Sequence, residues 1–223
     1  MAHPDDVDFG AAGTVARWVD DGWQVRYVLV TSGQRGSADP TTDPQGYGAI
    51  REAEQRAAAA AVGVTDLVFL RWPDSELVDC RELRRDVARE FRRSRPHRLL
   101  TMDTGQILGA TFLNHPDHRL VGTIALDTTL TGGTTGAIFP ELALEEGLAP
   151  WRGLQEVWLA GPAGGETVVD ITATVERKWR ALEAHVSQVG ESDVRAQLGP
   201  MLAGLGRAAG YDYAEAFRVL TVG

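Results

Sequence analysis

The stretch AHPDD, from Ala2 to Asp6, places one histidine and two adjacent carboxylates within four residues of a proline-stiffened turn. A helical pattern of apolar residues follows over 10–21, and a nearly continuous β-rich run, VRYVLV, follows over 25–30. Such a run is typical of strands in parallel sheets, which are covered on both faces. We therefore expect the AHPDD stretch to lie at a strand-to-helix turn of an α/β domain.

A turn of this kind requires a strand in front of it, yet only Met1 precedes Ala2. Either the natural protein begins upstream of Met1, or the sheet lacks its expected first strand. We favour the first explanation.

Strand and helix patterns alternate along the rest of the chain. Strands are predicted over 67–70, 98–101, 156–160 and 167–170, and helices over 50–62, 83–91, 175–186 and 191–209, with a further helix after residue 120. The intervening segments 32–48 and 131–140 are rich in glycine, proline or threonine. This alternation predicts one domain over residues 1–223, of α/β class, with a Rossmann-like three-layer arrangement and a mainly parallel sheet.

Composition excludes several classes of protein. The net charge of −9 provides no basic footprint for nucleic acid or an anionic membrane. A single cysteine, Cys80, rules out an intramolecular disulfide and suits a reducing compartment. The sequence has neither a secretory pattern nor an apolar run of the roughly 20 residues that a membrane span needs. We expect a cytoplasmic protein with a small-molecule substrate, and the sequence leaves its oligomeric state open.

A second cluster with the same His-Pro-Asp order is Asn114-His115-Pro116-Asp117-His118. Together the two clusters contain three of the five histidines of the chain. Catalytic zinc commonly takes three protein ligands and leaves one position for water. His3 and Asp6 can converge on one ion, and His118 can supply the third ligand. Asp5 and His115 then remain beside the metal, in the roles of a general base and an oxyanion stabiliser.

Either cluster alone is more typical of a turn followed by a helix N-cap, because an aspartate near a helix start satisfies free amides and the helix dipole. Both clusters occur in one short chain with few other histidines, and this favours a functional site over two structural turns. The pair therefore predicts a metal-dependent hydrolytic site.

Five motifs along the chain carry a resemblance to a known family. They are AHPDD at Ala2–Asp6, TSG at Thr31–Gly33, RxxE at Arg51–Glu54, HPDH at His115–His118 and AHxSQ at Ala184–Gln188. The chain resembles the LmbE-like, or PIG-L, family of zinc-dependent N-deacetylases, which includes the mycothiol-pathway deacetylase, the mycothiol conjugate amidase and the deacetylase of glycosylphosphatidylinositol synthesis. The pairing of AHPDD with HPDH carries most of the specificity.

This resemblance implies a role for each residue of the two clusters. His3, Asp6 and His118 would bind Zn²⁺, or Fe²⁺ in the same site. Asp5 would be the general base that activates the zinc-bound water and later protonates the leaving amine. His115, cationic and held by Asp117, would stabilise the tetrahedral oxyanion.

The sequence thus predicts a metal-dependent hydrolase of linear amides, which removes an acetyl group from an N-acetylglucosamine-type sugar or its conjugate through a zinc-bound hydroxide. Two alternatives stay open. One is an amidase that acts on a larger N-acyl or thiol-conjugate substrate, and the other is a non-catalytic zinc-containing ligand-binding protein. Asp5 argues against the second alternative, because a binding module needs no free base.

Two positions depart from the family pattern. Val7 follows Asp6 where many relatives have glutamate, and Leu113, preceded by Phe112, stands where the mycothiol-pathway branch has a tyrosine that assists the oxyanion. The mycothiol-pathway substrate therefore cannot be transferred to this chain.

Three further residues are candidates for substrate binding. Arg51 resembles the family arginine near the substrate sugar, and the alternative is an exposed helix arginine paired with Glu54 or Glu52. Asp103 ends a predicted strand, where open α/β sheets bind ligands. His185 belongs to the AHxSQ motif and either lines the site or forms a polar stripe on a helix surface with Lys178 and Gln188.

Overall fold

The computed structural model describes residues 1–105, 107, 113–161 and 165–222. The elements alternate as an α/β fold. The helices are α1 (Asp6–Asp20), α2 (Pro44–Val62), α3 (Arg81–Ser94), α4 (Pro116–Leu130), α5 (Pro140–Leu144), α6 (Val175–Glu183), α7 (Val186–Val189) and α8 (Val194–Ala209). The strands are β1 (Arg26–Thr31), β2 (Asp66–Trp72), β3 (Arg98–Met102), β4 (Glu156–Ala160), β5 (Thr167–Asp170) and β6 (Ala214–Thr221).

The chain divides into two compact units. Unit 1 contains the described residues of Met1–Asp74 and Gly164–Phe217, and unit 2 contains those of Ser75–Ala163 and Arg218–Gly223. The boundary falls within β6, so that each unit holds one part of this strand.

In unit 1, β1 and β2 pair in parallel, with Val28 opposite Val68 and a register shift between Leu29 and Thr31. The first two residues of the chain run beside β1: the Val30 amide donates to the Met1 carbonyl at 3.0 Å, and the Thr31 amide donates to the Ala2 carbonyl at 2.9 Å. Backbone of Met1 and Ala2 thus occupies the position beside β1 where a further strand is expected.

The core of unit 1 lies among its helices and β5, which pairs antiparallel with the first part of β6. One cluster of buried apolar side chains comprises Ile171, Val175, Trp179, Leu182, Val194 and Leu202. Helix α1 lies close to this cluster, because a Cβ atom at Gly13 would come within 2.8 Å of the Ile171 side chain. Glycine at this position therefore permits the close approach.

In unit 2, β3 pairs in parallel with β4, and β4 pairs antiparallel with the Arg218–Thr221 part of β6. Helix α4 packs directly on β3. A Cβ atom at Gly122 would lie 2.6 Å from the Met102 carbonyl oxygen, so only glycine allows this packing.

A buried arginine organises the segment between α4 and β4. Within the described part of the chain, the guanidinium of Arg92, whose residue is only 1% exposed, donates hydrogen bonds to backbone carbonyls alone. These carbonyls belong to Gly132, Thr135, Ile138, Phe139 and Leu148. The segment that looked irregular in sequence is therefore held from within by one side chain, and it includes the short helix α5.

The α/β class and most elements agree with the sequence prediction. The expectation of a mainly parallel sheet is not confirmed, because strand pairing in each unit is partly antiparallel. Helix α2 begins at Pro44 instead of residue 50, strand β6 was not predicted, and the helix expected over 175–186 is divided into α6 and α7. Among the described residues, every helix falls short of the length and apolar character that crossing a membrane requires.

Candidate active site

The AHPDD stretch forms a tight turn into α1, whose first helical residue is Asp6 and whose N-cap is Asp5. The backbone of Asp5 has φ of 91°, in the left-handed region that an L residue seldom adopts. Its side chain makes no capping hydrogen bond, although aspartate ordinarily caps a helix from this position. The Asp6 carboxylate instead accepts the His3 amide at 2.7 Å, so the Asp5 carboxyl is left for other contacts.

The His3 imidazole lies between two carboxylates of unit 1. Its Nε2 is 3.0 Å from Asp74 Oδ1, and its Nδ1 is 3.6 Å from Asp6 Oδ2. Asp74 also accepts the Arg35 amide at 2.9 Å. Burial alone would raise the pKa of Asp74, but the hydrogen bonds from His3 and the Arg35 amide outweigh it and hold the pKa at about 2. Sequence reasoning missed Asp74, which follows β2 with no histidine nearby in sequence.

Arg51 holds the Asp5 turn from the side. It is 4% exposed, and its Nη2 donates to the Pro4 carbonyl at 2.7 Å and to Asp5 Oδ2 at 3.1 Å, while Nη1 donates to the Gly33 carbonyl at 2.9 Å. A Cβ atom at Gly33, where φ is +62°, would lie 2.2 Å from Nη1. The interpretation of Arg51 as an exposed helix residue is therefore wrong, and the glycine of the TSG motif makes room for the guanidinium.

The Asp5 carboxyl has a strongly altered acidity. Burial raises its pKa to about 7, and the adjacent Asp6 carboxylate adds to the rise, while Arg51 opposes it. Its side chain keeps 15% exposure. A carboxyl of this kind can exchange a proton near neutral pH and is still accessible to a reacting group.

The donor set of this cluster fits a divalent cation. Asp6 lies against Nδ1 of His3 and Asp74 against Nε2, and an imidazole nitrogen with a carboxylate oxygen beside it is the ligand chemistry that zinc and iron take in proteins. Burial and, after it, the Asp6 carboxylate raise the pKa of Asp5 while Arg51 opposes them, and a bound cation would offset the Asp6 repulsion further.

In unit 2 the HPDH stretch forms the start of α4. His115 is the N-cap, and its Nδ1 accepts the Asp117 amide at 3.2 Å, so this nitrogen carries no proton in the observed conformation. The expectation of a cationic His115 is therefore wrong for this conformation, because an imidazolium has no accepting nitrogen. The His115 and His118 ring centroids are 5.3 Å apart. The Asp117 carboxylate accepts the Ser75 amide at 2.8 Å. The sequence thus brings both histidines to the N-terminal end of α4.

Asp103 takes part in shaping the loop before this helix. It is 4% exposed, its carboxylate accepts the Gly105 amide at 2.7 Å, and its backbone carbonyl accepts the Asn114 side-chain amide at 3.2 Å. Arg218 lies 3.5 Å from the same carboxylate. Leu113 is exposed, whereas Phe112 lies outside the described residues.

His185 does not lie on a helix face shared with Lys178, because α6 ends at Glu183 and His185 is the N-cap of α7. It is fully buried, and its Nε2 lies 2.8 Å from Asp8 Oδ2. The interpretation of His185 and Lys178 as a polar surface stripe is wrong, since Lys178 is also fully buried.

A second buried network, which sequence reasoning missed, supports α1. The Lys178 ammonium donates to the Asp8 and Phe9 carbonyls and to Glu215 Oε1, each at 2.8 Å. The Glu215 carboxylate in turn accepts the amides of Gly13 and Thr14. These contacts join positions far apart in the chain, which explains why local sequence patterns gave no sign of them.

Comparison with known proteins places these motifs in a family. The profile described as "PIG-L: GlcNAc-PI de-N-acetylase" matches residues 1–129. The chain is 31% identical over 220 residues to the diacetylchitobiose deacetylase of Thermococcus kodakarensis. This alignment covers 97% of this chain and 79% of the relative. It is 29% identical over 230 residues to the 1D-myo-inositol 2-acetamido-2-deoxy-alpha-D-glucopyranoside deacetylase of Actinosynnema mirum, over 84% of this chain and 78% of that protein.

A solved structure extends this likeness to three dimensions. The N,N'-diacetylchitobiose deacetylase from Pyrococcus horikoshii, complexed with its inhibitor MPG, superposes with a TM-score of 0.87 at 29% sequence identity. The match covers 98% of this chain and 80% of that one.

Proposed function

The chain belongs to the PIG-L family, and from this premise we propose that it is a metal-dependent hydrolase that removes the acetyl group from an N-acetylglucosamine-type amino sugar or its conjugate. Its homologues are N-deacetylases that act on such substrates. The observation that carries the proposal is the environment of Asp5: a carboxyl with a pKa raised by burial, released from helix capping, beside the donor set of His3 and Asp6.

We propose His3, Asp6 and His118 as the metal ligands, with zinc as the metal and iron as the alternative. The family match over residues 1–129 spans both motifs and supports their joint use. Asp74 holds the Nε2 side of His3, which leaves Nδ1 on the side of Asp6 for the ion, and a carboxylate behind a ligand histidine is a common support in metal sites. When bound, the metal supplies Lewis acidity to the attacking water and to the amide carbonyl.

The residues of the chain then divide the proton chemistry. Asp5 takes the proton from the attacking water and returns it to the nitrogen of the leaving amine, a task that suits a carboxyl with a pKa of about 7. Arg51 keeps the Asp5 carboxyl oriented through its 3.1 Å hydrogen bond. We assign Asp5, His115 and Asp117 as the catalytic group of the site. His115 donates from Nε2 to the oxyanion, because its Nδ1 is taken by the Asp117 amide.

We further propose that residues 1–223 act as one Rossmann-like three-layer deacetylase domain in the cytoplasm. The relatives align with nearly the whole chain, and the family match crosses the boundary between the two units at Asp74, both of which support a single functional domain. The single cysteine, Cys80, supports a reducing compartment.

The test combines metal analysis with an amine-release assay. Purified protein is stripped with a chelator, reloaded with Zn²⁺ or Fe²⁺, and assayed for free amine with N-acetylglucosamine, N,N'-diacetylchitobiose and N-acetylglucosaminyl-inositol. We expect one metal per chain, and amine release from at least one of these sugars that stops on chelation and returns on reloading.

N-propionyl and N-butyryl versions of the best substrate define the acyl group. A rate that falls as the acyl chain lengthens supports a deacetylase. Rates that rise with acyl length would overturn the acetyl assignment in favour of an amidase, and no amine release from any amide sugar at full metal occupancy would overturn the proposal as a whole.

A further inference from the structure

The general base assigned above stands on an unusual backbone. Asp5 has φ of 91° and ψ of −30°, a conformation that glycine adopts readily and an L residue adopts only when its surroundings enforce it. Non-glycine residues held in this way concentrate at functional sites. Something in the structure must therefore hold the Asp5 backbone.

The holding contact comes from α2. The Asp5 amide donates to Gln55 Oε1 at 2.8 Å, and Gln55 is fully buried. In an ordinary N-cap the capping side chain serves the free amides of its own helix. Here a side chain 50 residues away accepts from the amide of the cap residue itself, while the Asp8 and Phe9 amides of α1 donate to the Asp5 carbonyl at 2.8 and 3.0 Å.

A second layer fixes the direction of the Gln55 amide. Its Nε2 donates to Asp8 Oδ2 at 2.8 Å, and His185 Nε2 lies 2.8 Å from the same oxygen. Because the Asp5 N–H can only donate and the Asp8 oxygen accepts, the amide oxygen of Gln55 faces Asp5 and its amide nitrogen faces Asp8. Gln55, Asp8 and His185 are all fully buried, so water cannot replace any of these bonds at low cost.

We propose that Gln55 is a positioning residue for the reaction. It holds the Asp5 backbone in the left-handed conformation, and Asp8 with His185 fixes the orientation of the Gln55 side-chain amide. The inference rests on the proposed function, since it assumes that Asp5 is the base. A relaxed Asp5 backbone would swing the carboxyl away from the donor set of His3 and Asp6. Proton transfer depends steeply on such placement, whereas substrate and metal affinity depend on it much less.

The first test separates kcat from KM in Gln55→Leu, an apolar replacement of similar size. We expect kcat to fall by roughly 10- to 100-fold while KM and metal content stay within about twofold of the parent protein. Glu215→Gln is the matched control, because Glu215 is similarly buried and also supports α1 but does not touch Asp5. An equal fall in kcat for both variants, or no fall in Gln55→Leu, would overturn the positioning role.

A rescue experiment tests which group donates and which accepts in the hydrogen bond between Gln55 and Asp8. Gln55→Glu alone sets two carboxylates against each other and should lose activity. The double variant Asp8→Asn with Gln55→Glu restores all three bonds. The glutamate introduced on α2 accepts from the Asp5 amide and from one N–H of the new asparagine. The second N–H of that asparagine donates to His185 Nε2, in the tautomer that carries its proton on Nδ1. Recovery of at least about tenfold in kcat over Gln55→Glu is expected, and a double variant no better than the single one contradicts the inference.

A double-mutant cycle, read by Tm, tests the contact between Gln55 and Asp5 without any substrate. Glycine relieves the backbone strain, so in an Asp5→Gly background Gln55→Leu should lower Tm by less than half of what it does in the parent protein. Equal shifts in both backgrounds would mean that Gln55 only packs. Because this readout needs no turnover, it stays informative even if the assigned reaction proves wrong.

Discussion

The two histidine clusters are held by different means. In unit 1 side chains hold side chains, as when Asp74 holds His3 at 3.0 Å. In unit 2 the backbone does this work, since the Asp117 amide holds His115 and the Ser75 amide holds Asp117. The first cluster therefore depends on which residues stand at distant positions, while the second depends on the path of the chain around the start of α4.

Buried cations repeat the contrast. Lys178 in unit 1 has a buried carboxylate partner, Glu215, in addition to two carbonyls. Arg92 in unit 2 has hydrogen bonds only to carbonyls among the described residues. Removing one partner of a buried charged pair leaves a charge in the interior without its counter-charge. Removing a cation that contacts only carbonyls leaves neutral groups without a donor. Substitution of Lys178 in unit 1 should therefore destabilise the protein more than substitution of Arg92 in unit 2.

The largest effect is expected for Asp5→Asn. Asparagine keeps the shape, tolerates a positive φ and still accepts from Arg51, but it cannot take up a proton. Turnover should fall by about 10³-fold with metal content unchanged, as measured by amine release and elemental analysis. Activity within about tenfold of the parent would remove Asp5 from the role of base.

His118→Ala tests whether unit 2 contributes to the metal centre. We expect the metal content of the purified variant to fall to less than half that of the parent after dialysis, because one of the three proposed ligands is gone. His97→Ala is the control: His97 lies in the same unit, is exposed, and packs edge-on against Trp151. Full metal content in His118→Ala would assign the ion to the donors of unit 1 alone.

Lys178→Met and Arg92→Met measure the contrast between the two buried cations directly. The first removes the lysine partner of the buried Glu215 carboxyl, and should cost about 3–5 kcal/mol of unfolding free energy. The second leaves carbonyls unpaired and should cost less, about 2–3 kcal/mol. Urea unfolding gives both values, and adding Glu215→Gln should recover part of the loss only for Lys178→Met. An Arg92 variant that is the less stable of the two would reverse the comparison.

Arg195→Ala should have the smallest effect. Its side chain is 44% exposed and pairs with Glu176 and Glu183, which are more exposed still. Solvent-screened pairs contribute little, so the unfolding free energy should change by less than about 0.5 kcal/mol. A loss of more than about 1 kcal/mol in urea unfolding would show that surface pairs matter here as buried ones do.

The sequence predicted what depends on local patterns. Residues of the two motifs are near neighbours in the chain, so HPDD and HPDH stood out without a structure. Strands β4 and β5 were predicted with their observed limits, because continuous apolar runs mark them clearly. The start of α2 was missed, since Gly46 and Gly48 lie in its first turns and glycine disfavours a helix.

What the sequence could not predict depends on partners that are distant in the chain. Asp74, Gln55 and Glu215 each act on a residue of the first fifteen, yet none carries a motif of its own. Strand β6 was overlooked because Glu215 and Arg218 interrupt its apolar pattern. The structure explains Glu215 as a buried carboxylate that receives a lysine and two helix amides, a role that no local spacing encodes.

The carbonyl-only contacts that Arg92 makes with the described residues have a consequence for sequence change. Every residue type offers the same carbonyl oxygen, so Arg92 recognises the course of the segment 132–148 and not its side chains. The exposed side chains of that segment can therefore be exchanged while its backbone stays anchored. New surface chemistry could be selected at those exposed positions by random mutagenesis, as long as Arg92, the two close-packed glycines Gly132 and Gly133, and the buried Phe139 and Leu142 are kept.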